Sequence, residues 1–250
     1  VGYGGSADPV NVDLATGTLT GGDAEGDTLV QIEGVSGSQG NDTLTGDAGE
    51  NWFEGLGGAD TIDGGDGFDN TDYSGSPAAV VVDLAAGTGS GGDAEGDTLS
   101  NIEGIIGSEH ADTLTGDAGD NPFDGHAGAD TIDGGDGMDN VDYFWSEAPV
   151  DVNLATGQGS GGHAEGDTYV SIEGVNGSPH DDTLTGDAGD NWLEGGPGAD
   201  AIDGGAGNDS AQYTFSEAPV TVNLATGVNT GGDAEGDILT HIENLVGSQG

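Results

Sequence analysis

The chain has 250 residues, of which 48 are Asp or Glu and none is Lys, Arg or Cys, giving a formal net charge of −48. With no cationic side chain to meet a phosphate, nucleic acid is excluded as a direct partner; anionic membrane surfaces would repel the chain, and disulfide and thiol chemistry are absent. Val, Leu, Ile and Phe together supply 46 residues and Gly another 54, a composition too poor in apolar side chains and too rich in backbone freedom to fold without a counter-ion.

The chain repeats at a spacing of 70 residues. Val-x-Val-x-Leu occurs at Val10–Leu14, Val80–Leu84, Val150–Leu154 and Val220–Leu224, while Tyr3, Tyr73, Tyr143 and Tyr213, and Ile32, Ile102, Ile172 and Ile242, keep the same interval. Residues 1–36 are a partial repeat, a strand followed by a GDAEGD loop. Residues 37–72 then divide into four nine-residue units, GSQGNDTLT, GDAGENWFE, GLGGADTID and GGDGFDNTD. Each unit opens with Gly and carries an acid or amide at its sixth place (Asp42, Asn51, Asp60, Asp69). The eighth place is held by Leu44, Phe53, Ile62 and Thr71. The Gly-rich half suits a tight turn, and the second half, as in Asp60-Thr61-Ile62-Asp63, is a short strand with one inward side chain.

Residues 73–106 form an inter-block segment. Its Val80, Val82 and Leu84 alternate as a strand facing inward, Ala85-Ala86-Gly87 turns the chain, and a Gly/Ser/Thr loop leads to GDAEGDTLS at 92–100. Set against the nine-residue frame, Gly92 is first, Asp97 sixth and Leu99 eighth, which makes this a degenerate fifth unit; its counterparts carry Asp27, Asp167 and Asp237. Glu25, Glu95, Glu165 and Glu235 in the same loop read as solvated acids before extra ligands. Ile102 and Ile105 lead into the next block. The pattern returns as block 107–142 and segment 143–176, then as block 177–212 and segment 213–246, with residues 247–250 starting a fourth block. No 3.6-residue period appears, so no helix is expected. With neither an initiator Met, a signal-peptide pattern nor a capping repeat, the chain reads as an internal piece of a longer array.

The nine-residue unit resembles G-G-x-G-x-D-x-U-x, the calcium-binding nonapeptide of the repeats-in-toxin (RTX, hemolysin-type) family, a parallel β-helix repeat. The resemblance implies an all-β, right-handed parallel β-roll or solenoid with Gly-Asp turns. It also implies cations between units n and n+2, pairing Asp42 with Asp60 and Asn51 with Asp69. Acids and turn carbonyls at close quarters suit calcium, which takes six to eight oxygens. The expected metal ligands at the sixth place are Asp42, Asn51, Asp60 and Asp69, then Asp112, Asn121, Asp130 and Asp139, then Asp182, Asn191, Asp200 and Asp209. Asp27, Asp97, Asp167 and Asp237 join them from the degenerate units. His110 and His180 stand where the family has Gly at place four.

The five His share no spacing and have no Cys companions, which argues against zinc. No H-E-x-x-H or G-x-S-x-G occurs, and no Lys or Arg is present to hold an oxyanion, so no enzyme activity is expected. Trp52 and Trp192 take the outward seventh place. Phe144, Trp145 and Phe215 follow tyrosines as contact points for a neighbouring chain or as covers of a seam. The reading is a calcium-binding structural array, an adhesin rod or extracellular fibre that folds on meeting calcium after secretion. The alternative is the secretion and folding module of a secreted enzyme or toxin. What the resemblance adds is type I secretion from a Gram-negative-type bacterium, an extracellular or cell-surface location, and calcium ions and copies of itself as partners.

Overall fold

A computed structural model describes residues 1–248. Its regular structure, among those residues, consists of three-residue strands and four single-turn 3-10 segments, with no α-helix. The start of a fourth block falls only partly within this range; Gln249 and Gly250 lie outside the described residues.

Each nine-residue unit supplies one strand and one turn. In Thr61–Asp63 the central Ile62 is buried while Thr61 faces solvent, and the Gly-rich turn that follows stops the strand after three residues. Units two apart stack in parallel. Thr43, Leu44 and Thr45 pair with Thr61, Ile62 and Asp63, and Trp52 and Phe53 pair with Asn70 and Thr71. Alternate units therefore feed two sheets, and two units make one coil. The eighth-place side chains Leu44, Phe53, Ile62 and Thr71 are all fully buried between the rungs.

The chain divides into two compact units, Val1–Gly125 and His126–Gly250. In the first, one sheet runs Thr18–Thr20, Asn11–Asp13, Thr43–Thr45, Thr61–Asp63, Thr98–Ser100, Thr88–Ser90, Val81–Asp83 and Thr113–Thr115. The other runs Gly34–Ser36, Trp52–Glu54, Asn70–Asp72, Gly104–Ile106 and Pro122–Asp124. The second unit repeats the plan. Its first sheet runs Thr131–Asp133, Thr168–Val170, Gln158–Ser160, Asp151–Asn153, Thr183–Thr185, Ala201–Asp203 and Ile238–Thr240. Its other sheet runs Asn140–Asp142, Gly174–Asn176, Trp192–Glu194, Ser210–Gln212 and Asn244–Val246, and Thr221–Asn223 with Val228–Thr230 forms a separate hairpin.

The degenerate unit does stack as a coil: Thr98, Leu99 and Ser100 pair in parallel with Thr61, Ile62 and Asp63. The stretch before it differs from the expected loop. Thr88–Ser90 is a strand, antiparallel to Val81–Asp83 and touching Thr98–Ser100, so the chain runs forward, back and forward again within one sheet. Sequence alternation does not reveal it here, because Gly89 fills the inward place that Leu19 takes in the first copy. A Cβ on Gly89 would lie 2.8 Å from the Ala94 carbonyl oxygen and 3.2 Å from the Asp97 Cβ, so no larger side chain fits without a shift. Val80 and Val82 face inward as expected, and Leu84 is only half-buried.

Removing one inward side chain should be costly. Ile62→Ala is expected to destabilise the calcium-loaded fold by about 2–4 kcal/mol, against roughly 0.5 kcal/mol or less for the neighbouring outward change Thr61→Ala. Denaturant titration of both variants in saturating calcium checks the difference.

Candidate metal centre

The sixth-place residues sit where turn becomes strand, and the aspartates among them accept a backbone N–H from the rung before. In the first unit the Val10 N–H donates to Asp42 Oδ1 at 2.7 Å, Asp42 N–H to Asp60 Oδ1 at 2.8 Å and Asp60 N–H to Asp97 Oδ1 at 2.8 Å. On the other sheet Asn51 N–H donates to Asp69 Oδ1 at 2.7 Å and Asp69 N–H to Glu103 Oε2 at 2.8 Å. The second unit repeats both columns, from Val150 through Asp182 and Asp200 to Asp237, and from Asn191 through Asp209 to Glu243. One carboxylate oxygen of each rung is thereby fixed.

The fate of the second oxygen differs with position. In the opening unit of a block, Ser38 satisfies it: the Ser38 N–H donates to Asp42 Oδ2 and the Ser38 hydroxyl to Asp42 Oδ1, and Ser108 and Ser178 do the same for Asp112 and Asp182. The second unit carries the amides Asn51, Asn121 and Asn191, whose Oδ1 accepts the N–H of Asp47, Asp117 and Asp187. In the third and fourth units, Oδ2 of Asp60, Asp69, Asp200 and Asp209 is buried and accepts no hydrogen bond. A buried carboxylate oxygen without a partner is costly.

Those carboxylates border turns where backbone carbonyls crowd the place a Cβ would take, which only glycine leaves open. A Cβ on Gly58 (φ 144°) would lie 2.5 Å from the Gly40 carbonyl oxygen and 2.9 Å from Asp60 Oδ1. A Cβ on Gly55 would strike Asp60 Oδ2, and one on Gly64 would strike both the Asn101 carbonyl oxygen and the Asp69 carboxylate. The same convergence surrounds Gly204, against the His241 carbonyl oxygen and Asp209, and Gly198, against the His180 carbonyl oxygen and Asp200 Oδ1. His180 thus keeps a backbone oxygen at its turn where glycine is usual. Carboxylate plus stacked carbonyls is an all-oxygen donor set of the kind a hard cation takes. Among the described residues no three His, Cys, Asp or Glu side chains gather at one point, so a cation held there would draw most of its oxygens from the backbone.

Burial governs the electrostatics. Loss of hydration pushes Asp60 and Asp200 up to about 8, despite the opposing N–H bonds from Asp42 and Asp182 and with added repulsion from Asp97 and Asp237. Burial likewise moves Asp69, Asp97 and Asp167 to about 6 and raises Asp182, Asp209 and Asp237.

The other sequence candidates separate by their partners. Asp27, Asp97, Asp167 and Asp237 accept a hydrogen bond at Oδ2 from the hydroxyls of Tyr3, Tyr73, Tyr143 and Tyr213, at 3.1, 3.0, 2.8 and 2.8 Å. Glu25, Glu95, Glu165 and Glu235 fold back onto the N–H of Gly21, Gly91, Gly161 and Gly231, clamping the loop. Glu103, Glu173 and Glu243, which extend the column, were not singled out from sequence, although they follow the Ile residues whose 70-residue spacing was plain. Of the histidines, His126 and His163 face each other with ring centres 6.0 Å apart, and His241 pairs with Asp203 at 2.7 Å, which lowers the aspartate and raises the histidine.

A family model described as RTX calcium-binding nonapeptide repeat (4 copies) matches residues 36–70, 106–141 and 176–211. The three blocks are RTX calcium-binding repeats. Each RTX match spans four nonapeptide units, and the unpaired oxygens of Asp60, Asp69, Asp200 and Asp209 lie inside the matched ranges.

Two outcomes follow for these RTX sites. Asp60→Asn and Asp200→Asn should each weaken calcium binding at their own rung roughly tenfold, because the amide removes charge from an oxygen donor set. Asp63→Asn, whose Oδ1 only accepts the Asn101 amide on the exposed side, should leave binding unchanged in calcium titrations. The second concerns pH. Because the folded-state values of Asp60, Asp69 and Asp200 lie above the usual carboxylate range, near 4, the metal-free fold binds more protons than the unfolded chain. Its stability is therefore greatest in acid and falls as pH rises from about 4 through 8. In excess chelator, circular dichroism should therefore show more β signal at about pH 4–5 than at pH 7.5; equal signal at the two would refute the assignment.

Proposed function

We propose that the chain is a calcium-gated structural region that remains unfolded where calcium is scarce and folds outside the cell into the rungs of a surface or extracellular assembly. One observation carries this reading: buried, unpaired carboxylate oxygens face open carbonyl cradles in a chain with no Lys or Arg. The blocks' membership in the RTX repeats supports calcium as the ion. It also supports a secreted setting, the usual one for such repeats. No helix among the described residues is long and apolar enough to cross a membrane.

The physics of the switch is mass action. At millimolar calcium, sites with dissociation constants of ~0.1 mM each add about 1.4 kcal/mol to the folded state, and at micromolar calcium the same contribution nearly vanishes. Each bound ion also offsets charge on a chain carrying −48. The residues proposed to hold the ions are the sixth-place Asp60, Asp69, Asp130, Asp139, Asp200 and Asp209. Asp42, Asp112 and Asp182 with Asn51, Asn121 and Asn191 complete the same coils from the rung before. The uniform 70-residue return of the blocks favours a structural array over a single folding module attached to an enzyme.

Far-ultraviolet circular dichroism against calcium, with magnesium as control, tests this directly. A cooperative gain of β signal at sub-millimolar to millimolar calcium, absent with magnesium, is expected. Full β signal in excess chelator at pH 7.5 would contradict it. Long uniform filaments in electron micrographs of the parent material would separate the array from the accessory module.

A further inference from the structure

We infer that the rung carrying Asp97, and its counterparts at Asp167 and Asp237, is a metal-free rung in which a tyrosine hydroxyl occupies the place that calcium takes beside Asp60 and Asp69. The inference rests on the calcium reading of the blocks and sets where each metal column ends.

The comparison is between acids in the same register. Asp60 and Asp97 occupy consecutive rungs of one column, with Thr61–Asp63 and Thr98–Ser100 paired in parallel. Both are buried, and both accept a backbone N–H at Oδ1, from Asp42 and Asp60 respectively. They differ only at Oδ2. That of Asp60 has no partner, whereas that of Asp97 receives the Tyr73 hydroxyl at 3.0 Å. Asp200 and Asp237 repeat the contrast, with Tyr213 at 2.8 Å. The tyrosine reaches this point because its ring is buried below the rung while its N–H is held by the following strand, Tyr73 N–H to the Ile106 carbonyl and Tyr213 N–H to the Val246 carbonyl.

The surrounding loop is closed as well. Where the blocks present carbonyls to the cradle, the Gly92–Ala94 turn is a 3-10 segment whose backbone is tied down: Glu95 accepts the Gly91 N–H and Ser76 Oγ accepts the Asp93 N–H. The middle copy reinforces the plug, with the Tyr143 hydroxyl hydrogen-bonded to both Asp167 and the hydroxyl of Tyr169, which replaces the leucine of its siblings. With both carboxylate oxygens engaged by N–H and O–H donors, a cation entering this rung would have to displace a buried hydrogen bond. At Asp60 it would displace none.

Counting bound calcium in the full chain tests this, by equilibrium dialysis with elemental analysis in wild type, Asp60→Asn, Asp97→Asn and Tyr73→Phe. At a free calcium that fills the wild-type sites but lies below the weakened constant, Asp60→Asn should bind about one ion fewer and Asp97→Asn as many as wild type. Tyr73→Phe, which keeps the ring and frees Asp97 Oδ2, should gain one ion or, at equal stoichiometry, need more calcium to reach the folding midpoint. If Asp97→Asn loses an ion as Asp60→Asn does, or Tyr73→Phe matches wild type in both count and midpoint, the plug is overturned while calcium binding by the blocks stands. If wild type binds no calcium, the reading of the blocks itself fails. The Asp97→Asn count decides the matter even should Tyr73→Phe fold poorly.

Discussion

Burying a carboxylate with no cation to meet it is the constraint on which this structure turns. The stacking of short rungs places the sixth residue of each nine-residue unit inside the column, where its backbone N–H must be satisfied, and the acid of the next rung provides that acceptor. The same bond that completes the backbone ladder therefore drags a charged group out of water. An ordinary protein would answer with Arg or Lys; here there is none. The second oxygen must find a proton, a hydrogen-bond donor or a metal ion.

The repeat treats the second oxygen in a fixed order. Serine supplies two donors at the opening rung, an amide removes the charge at the next, two rungs of the first and third blocks leave an oxygen without a partner, and a tyrosine closes the series. The bare rungs lie in the Gly-rich turns, and the rung closed by tyrosine follows the 3-10 loop. Unpaired buried carboxylate oxygens, among the described residues, are thus confined to part of the 70-residue repeat. The hairpin and its buried Val80, Val82 and Ile102 supply conventional apolar packing between blocks.

Much of this was legible beforehand because the code is local. A nine-residue period of Gly, acid and one apolar residue leaves few alternatives to turn-plus-strand coils, and the buried set Leu44, Phe53 and Ile62 sits at the place that period assigns. The antiparallel excursion at Thr88–Ser90 was not legible there, since Gly89 carries no apolar signal; only the counterpart Thr18–Thr20, with its buried Leu19, shows the alternation. Nor was the left-handed backbone at place two of the third unit, where Leu56 and His126 adopt φ of 64° and 55° and only Gly196 advertises the conformation. At the site, the sequence could align the sixth-place acids but could not rank them. That ranking depends on partners 24 residues away, as for Tyr73 and Asp97, or 34 away, as for Asp69 and Glu103.

The central claim is that divalent ions stand against the bare oxygens of the third and fourth rungs. Anomalous diffraction from crystals grown in calcium, recorded at long wavelength, tests it most directly. The account predicts anomalous peaks within about 2.3–2.6 Å of Asp60 Oδ2, Asp69 Oδ2 and their counterparts in the third block, each ringed by turn carbonyls. Rungs stacked as described here, with only water or nothing at those corners, would contradict it.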